Sequence, residues 1–226
     1  MSEHIAMKET ELAKSVIAWL SDQHWDIYQE VQFTAGSSIA DIVAVKHGIM
    51  WIIECKMSYG FTVLQQASQW LAHYRSVAVP SETYHHHRDY SVAKYYYRVG
   101  ILEVNTKHDD VWEIIKPPIM YRENDLIKKY RARLTELHKT FAPAGSRGGQ
   151  HLTPYKETMM DVRKAIEINP GCTIKDLYQS LGKMHYSSAD SFKGNLIKAL
   201  NDFEPWCKVD MSTKPYKLYI ADGNGN

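Results

Sequence analysis

The chain has 226 residues, a formal net charge of +1 and 44% hydrophobic residues, which is ordinary for a globular protein. This charge gives no global sign of nucleic-acid binding, although a neutral protein can still carry a basic face. Three scattered cysteines without a CxxC motif argue against a disulfide framework. No apolar run is long enough to span a membrane, and the first residues lack a signal-peptide pattern. We therefore expect a cytoplasmic protein with no membrane partner.

The first third of the chain predicts the element order αβββαβ. An amphipathic helix over 8–20 precedes a strand over 27–33, in which apolar and polar residues alternate. A hairpin of two strands follows within 37–57. A second helix over 62–75 then leads to a short strand over 76–79 that stops at a proline.

The middle of the chain predicts more sheet, a basic helix and a linker. A loop and a helix fill 81–98, and two strands follow at 100–105 and 110–115. Residues 121–139 form a basic helix. The Pro/Gly/Ser-rich stretch 142–150 is the best candidate for a domain boundary.

The C-terminal region changes character, with three helices and a β-hairpin predicted in a short span. Thr153 and Thr173 are good N-caps for the first two helices, and a serine at 187 or 188 caps the third. Two short strands follow. This is the pattern of a winged helix-turn-helix domain. We therefore expect a first domain over 1–140, a linker over 141–152 and a winged-helix-like domain over 153–226.

The hairpin within 37–57 carries charged residues at one end of two apolar strands. If His47 and Gly48 form a two-residue turn, Asp41 lies opposite Glu54 on one face of the sheet. Both faces are apolar in their middle, so helices must cover both sides. The hairpin thus predicts an α/β fold with the two carboxylates side by side.

These charges predict a metal-dependent hydrolytic site. Two close carboxylates repel each other, and ionising both in a partly buried place is costly without a cation. Mg²⁺ or Mn²⁺ meets that need with oxygen ligands, while Lys56 would assist an attacking water or stabilise charge on a phosphate. The alternative is a solvated salt bridge between Lys56 and the two acids, Asp41 and Glu54. These three residues alone do not decide between the two interpretations.

Asp41, followed after a short gap by Glu54-Cys55-Lys56, resembles the core of the PD-(D/E)XK nuclease superfamily, also called restriction-endonuclease-like. Ala40-Asp41 stands where that family nominally has Pro-Asp. The predicted order αβββαβ also matches the usual topology of the family. The resemblance implies a mixed sheet flanked by helices, Mg²⁺- or Mn²⁺-dependent cleavage of DNA, and metal ligation by Asp41, Glu54 and the main-chain carbonyl of Cys55.

The resemblance implies further site residues outside the hairpin. Similar nucleases take a metal-binding glutamate from the first helix, for which Glu11 is the first choice and Glu9 the second. A plain surface glutamate is the alternative for Glu11. Related families use a glutamine from the helix after the lysine strand, and Gln66 is the best match. Glu30 on the first strand faces either the site or solvent.

The winged-helix-like domain would place its third helix in a DNA groove and its wing near phosphates. The expected DNA contacts are Lys193, Asn195, Lys198, Lys214 and Lys217. This domain is close to neutral, however, and winged helices also bind proteins. Whether it binds DNA or protein is therefore left open by the sequence.

We therefore expect a two-domain, metal-dependent DNA endonuclease whose second domain targets or positions the first. One site cuts one strand, so double-strand cleavage would require a homodimer or sequential nicking. The chain has no GxxxxGK[ST] loop, and we expect no nucleotide cofactor. The main alternative is a non-enzymatic DNA-binding or adaptor protein that acts through the winged helix. A ribonuclease is a third possibility.

Overall fold

A computed structural model of the chain describes residues 8–34, 36–81, 90–105, 107–146, 151–182 and 189–221. The chain divides into two compact units, and the boundary lies between Leu152 and Thr153. Residues 142–146 pack into the first unit and do not form a free linker, because Ala142 and Ala144 are buried there. Residues 147–150 and the serines at 187 and 188 lie outside the described residues. Within the described ranges, no helix combines the length and apolar character needed to cross a membrane.

The first unit is an α/β fold on one mixed, six-stranded sheet. The strands are β1 (Asp26–Gln32), β2 (Ile39–Lys46), β3 (Ile49–Cys55), β4 (Tyr74–Pro80), β5 (Gly100–Asn105) and β6 (Asp110–Ile115). They lie side by side in chain order. The first three strands are antiparallel, β3, β4 and β5 are parallel, and β6 runs antiparallel to β5.

Helices accompany this sheet in the order predicted for the first third of the chain. They are α1 (Glu9–Asp22), α2 (Phe61–Ser68), the π-helix α3 (Val92–Tyr97), α4 (Asp125–Arg131) and α5 (Leu137–Thr140). The order α1, β1, β2, β3, α2, β4 confirms the predicted αβββαβ pattern. A mixed sheet flanked by helices was also the predicted architecture of this region.

Both faces of the central strands β2, β3 and β4 are buried, as the apolar hairpin predicts. One face packs against α1 in a core that contains Leu12, Val16, Leu20, Ile42, Trp51, Ile53 and Cys55. The other face carries a second core with Val43, Met50, Ile52, Trp70 and Ile127. Each fully buried aliphatic side chain contributes about 1.5–3 kcal/mol. The polar end of the hairpin is therefore held between two apolar layers.

The turn of the hairpin sets the register on which the candidate site depends. His47 and Gly48 have positive φ angles of 49° and 81°, the conformation of a two-residue type I′ turn. Lys46 therefore pairs with Ile49, and the same register continues along the strands. Arg131 also donates a hydrogen bond to the carbonyl of Gly48. The even-length turn predicted from the sequence is confirmed.

Two predicted helices are shorter than expected. The helix predicted over 62–75 is α2, which ends at Ser68 because the chain must enter β4 at Tyr74. The basic helix predicted over 121–139 is two short helices, α4 and α5. Between them, Arg133 donates a hydrogen bond to the carbonyl of Phe33 at 2.7 Å. Such tertiary contacts override a continuous helical pattern.

The described residues of the second unit form three helices and a two-stranded sheet. These are α6 (Pro154–Ile168), α7 (Ile174–Leu177, extended as a π-helix over Tyr178–Gly182), α8 (Ala189–Asp202), β7 (Cys207–Asp210) and β8 (Lys217–Ile220). Thr153 and Thr173 cap the first two helices, as predicted. The core includes Val162, Ile166, Leu177, Phe192, Leu196, Leu200 and Leu218.

Candidate functional site

Two buried carboxylates lie at the end of the central strands. The exposed fraction is 8% for Asp41 and 0% for Glu54. Asp41 Oδ2 accepts a hydrogen bond from the main-chain N–H of Cys55 at 2.7 Å. Glu54 Oε1 accepts one from the indole N–H of Trp70 at 2.6 Å. A neighbouring strand and the loop after α2 therefore hold the two acids that the sequence brings together.

The second oxygen of Glu54 has no such donor. Oε2 is buried and makes no hydrogen bond with any described residue. Leaving a buried acceptor unpaired costs about 1–3 kcal/mol, and more for a charged group. A cation bound between Glu54 and Asp41 would satisfy this oxygen. The structure thus fits the carboxylate pair that the sequence predicts as a metal site.

The side chains present suit a hard cation that keeps several of its waters, and they do not suit one that is enclosed entirely by protein ligands. Within the described ranges, no cluster of three or more His, Cys, Asp or Glu side chains is arranged to hold a metal ion. Mg²⁺ usually keeps several waters and binds through only one or two carboxylates. Asp41 and Glu54 meet that requirement. The main-chain carbonyl of Cys55, implied by the resemblance, remains a predicted ligand.

Burial favours the neutral form of both acids. Burial raises the pKa of Glu54 to about 8, and the nearby charge of Asp41 adds to the effect, while the Trp70 hydrogen bond opposes it. The pKa of Asp41 is also raised, chiefly by burial, against the opposing charge of Lys56. A cation binds the ionised forms of these carboxyls, so its affinity depends on pH.

Lys56 lies beside these acids, and its surroundings favour the protonated, charged form of its amine. Its Nζ is 3.5 Å from Asp41 Oδ2 and 3.4 Å from Glu9 Oε2. Burial alone would lower the pKa of Lys56, but the charges of Asp41, Glu9 and Glu54 outweigh it and raise this pKa. An ammonium group of this kind can orient a water molecule or stabilise a phosphate. It is poorly suited to remove a proton.

The first helix presents Glu9, not Glu11, to this lysine. The helix begins at Glu9, and the exposed Glu11 folds back so that its Oε2 accepts the main-chain N–H of Lys8 at 3.1 Å. This is half of a capping box, which satisfies a free N–H at the start of a helix. Glu9 is thereby left to contact Lys56. The geometry reverses the preference for Glu11 over Glu9.

A further buried acid, Glu30, lies where β1 becomes irregular. The strand does not alternate as predicted: Tyr28, Val31 and Phe33 all pack into the core opposite α1. The change of face occurs at Glu30, whose φ is 49°. The pairings on either side of it place Glu30 opposite Asp41. This irregularity turns the carboxylate of Glu30 inward. A prediction based on strict alternation along the strand would not place it there.

Glu30 is held by main-chain donors from a distant part of the chain. Its Oε1 accepts hydrogen bonds from the N–H groups of Gly145 and Ser146, at 2.7 and 3.2 Å. Burial raises the pKa of Glu30 to about 7, the charge of Asp41 adds to this, and the two N–H groups oppose it. Of the two orientations that the sequence left open, the structure shows the buried one.

The other predicted site residues are placed differently. Gln66 is half-buried on α2, and its side chain makes no hydrogen bond with another described residue. The Cys55 side chain is fully buried in the core beside α1, on the face away from Trp70. Burial raises the pKa of the Cys55 thiol well above its usual value, so this group is not a nucleophile.

In the second unit, two of the five predicted DNA contacts come together. Lys193 and Lys214 line a groove of about 670 Å³, together with Lys175, Tyr178 and Tyr216. The other three, Asn195, Lys198 and Lys217, are exposed but do not line this groove. Positions 193 and 198 differ by about 140° around an α-helix, so one groove cannot collect both side chains.

Comparisons with known proteins offer little further. No protein-family model matches the sequence, and no curated protein matches it significantly. The chain shows a distant structural likeness to a protein of unknown function from Silicibacter pomeroyi, with 17% sequence identity and a TM-score of 0.42. The match covers 57% of this chain and 85% of that protein.

Proposed function

We propose that the protein is a DNA endonuclease of the PD-(D/E)XK type that depends on Mg²⁺ or Mn²⁺. The observation that carries the proposal is the buried, unpaired Oε2 of Glu54, a carboxyl group that interacts electrostatically with the Asp41–Lys56 pair. A purely structural salt bridge would be expected to pair Lys56 with both acids. Instead, Lys56 contacts Asp41 and Glu9, and one oxygen of Glu54 is left for another partner.

The chain's own residues would divide the work as follows. Asp41 and Glu54 would hold the cation, which when bound supplies an activated water and neutralises charge on the phosphate. The ammonium of Lys56 would orient the attacking water and stabilise the negative charge that builds on the phosphate oxygens. Glu9 and Asp41 keep Lys56 charged and in place through contacts of 3.4 and 3.5 Å.

The second unit is proposed to be a winged-helix-like module that positions DNA. The order of helices and then a β-hairpin in its described residues supports this, as does a bridge between Cys172 and Leu218 that extends the small sheet by one short segment. Lys175, Lys193 and Lys214 line its groove together with Asp190, so the lining carries a net positive charge that suits phosphates. Cleavage of both strands would require two copies or two successive nicks.

A plasmid-cleavage assay with Mg²⁺ or Mn²⁺ tests the proposal. Lys56→Ala should lower the rate by about 100-fold or more, since it removes a charge aimed at the reacting phosphate. Lys14→Ala, which removes an exposed lysine from α1, is the matched control and should cleave normally. Equal cleavage by all three proteins would indicate a contaminating nuclease. No cleavage by the wild type would favour the adaptor, and preference for RNA would favour a ribonuclease.

A further inference from the structure

Residues 142–146 form a short segment, here called the strap, that lies against the candidate site. The side chain of Gln29 on β1 joins the strap to β1 and also bonds the end of α5 just before the strap. The side-chain amide of Gln29 donates to the carbonyl of Lys139 at 2.7 Å, and its oxygen accepts the N–H of Ala144 at 3.0 Å. Ala142 and Ala144 are buried. The strap is thus an integral part of the first unit.

The strap is joined to the acidic site through Glu30. The N–H groups of Gly145 and Ser146 converge on one oxygen of Glu30. Only 5% of Glu30 is exposed, and it lies opposite Asp41 in the strand register. Two main-chain donors to one buried carboxylate form a strong, directional anchor. Glu30 and the strap therefore fix each other's position.

The strap also touches the start of α1. Gly145 has a φ of +76°, and a Cβ atom at this position would lie 2.7 Å from the carbonyl carbon of Glu9. Real Cβ atoms essentially never come within 3.0 Å of such an atom. The absence of a side chain at Gly145 thus allows the strap to rest on the backbone of Glu9, whose carboxylate contacts Lys56.

We propose that the strap is a positioning element of the active site. Its N–H groups hold Glu30, and its close packing at Gly145 sets the backbone of Glu9. Glu9 in turn places Lys56 next to Asp41. Gly145 and Glu30 are therefore positioning residues, which act on catalysis through Glu9 and Lys56. The inference rests on the proposed nuclease function for its catalytic readout, and it predicts a second readout that is independent of cleavage.

A pair of glycine variants separates positioning from backbone strain. Gly145→Ala and Gly36→Ala impose the same left-handed strain, with φ of +76° and +75°, but a Cβ at Gly36 meets nothing within 4 Å. At a temperature where circular dichroism shows both variants folded, Gly145→Ala should lower kcat by about tenfold or more with little change in KM for DNA. Gly36→Ala should retain the wild-type kcat. Equal kcat values for the two variants would overturn the proposal.

Substitutions at Glu30 test the anchor by another route. Glu30→Gln keeps an oxygen that can accept both N–H groups, whereas Glu30→Ala removes it. If Glu30 acts as an anchor, Glu30→Gln should retain most of the wild-type kcat and Glu30→Ala should lose about as much as Gly145→Ala. Equal loss in both Glu30 variants would show that the charge of Glu30 matters directly, and the anchor role would be wrong.

The labelling of Lys56 by an amine-reactive acylating reagent, followed by mass spectrometry, supplies the independent readout. Displacing Glu9 should weaken its contact with Lys56 and make the amine more reactive. Lys56 should therefore be labelled several-fold faster in Gly145→Ala than in Gly36→Ala, whether or not the protein cleaves DNA. Equal labelling would count against the strap alone. Absence of cleavage by the wild type, with unequal labelling, would count against the nuclease function alone.

Discussion

Trp70 donates its indole N–H to Glu54 Oε1 at 2.6 Å, and both residues are buried. The rest of the Trp70 side chain packs edge-on against Phe33, with ring centroids 6.0 Å apart. One residue therefore joins the core opposite α1 to the candidate site. Because this bond engages one oxygen of Glu54, the other oxygen is left as the unpaired acceptor.

Trp70→Phe should uncouple these two roles. Phenylalanine keeps an aromatic ring in the core but cannot donate a hydrogen bond, so Glu54 loses its buried donor. We expect the free energy of unfolding of the metal-free protein to fall by about 1–3 kcal/mol. Trp19→Phe is the control, since its indole N–H makes no hydrogen bond with a described residue. Urea unfolding measures both, and equal losses would mean that only ring size matters.

The raised pKa values predict a stability that depends on pH and on metal. A carboxyl whose pKa rises on folding stabilises the fold below its unfolded value, and that contribution is lost as pH rises through the folded value. Glu54, whose pKa rises from 4.5 to about 8, should therefore make the metal-free protein less stable from about pH 5 to about pH 8, by about 1 kcal/mol per pH unit. Thermal unfolding at several pH values measures this loss.

Bound Mg²⁺ should counteract this loss of stability with rising pH. Mg²⁺ binds the ionised carboxylates, so its stabilisation should grow over the same pH range and reach about 2.7 kcal/mol at a hundredfold excess over Kd. Glu54→Gln cannot ionise and should show a shallower pH slope and a smaller response to Mg²⁺. The same slope and the same response in Glu54→Gln would contradict the assignment of these effects to Glu54.

Glu9 and Glu11 lie in one helical turn and provide a variant and a matched control for the site. Glu9 contacts Lys56, while Glu11 caps the helix. Glu9→Gln should lower the cleavage rate by about tenfold, because Lys56 loses one of the charges that hold it. Glu11→Gln keeps a capping oxygen and should cleave at close to the wild-type rate. The reverse order in a cleavage assay would restore Glu11 as the residue of the site.

A buried arginine should stabilise the fold independently of catalysis. Arg75 donates to the carbonyls of Ser68 and Tyr97, the last residues of α2 and α3, where a positive charge is favourable. Arg75→Met would leave both carbonyls without this donor, and we expect a loss of about 2 kcal/mol in the free energy of unfolding. Arg122→Met, at an exposed position, should change little. Equal stability of the two variants in urea would exclude the capping role.

The strand register could be predicted from the sequence because it depends on local rules. His47-Gly48 is a favourable type I′ turn, and the apolar pattern of the hairpin demands burial on both faces. Together these place Asp41 near Glu54. The order of the first six elements follows from the hydrophobic periodicity of each segment and from the turn residues between segments.

Other features depend on contacts between distant residues. Choosing Glu9 over Glu11 requires knowing that the helix begins at Glu9, and helix ends are uncertain by one or two residues. The sequence alone names no partner for Trp70, although a buried indole N–H usually finds an acceptor. That general tendency was the one available signal for its bond to Glu54. The inward turn of Glu30 has no local signal, because it depends on donors from Gly145 and Ser146.

The strap changes where the first unit can be separated from the second. Its composition is that of a linker, yet a chain cut after residue 140 would lose both donors to Glu30 and the bridge between Val31 and Leu152. Such a fragment would keep every residue of the hairpin motif and still lack the support of its acidic site. A fragment that keeps the support of the acidic site intact must therefore extend to Leu152, where the first unit ends.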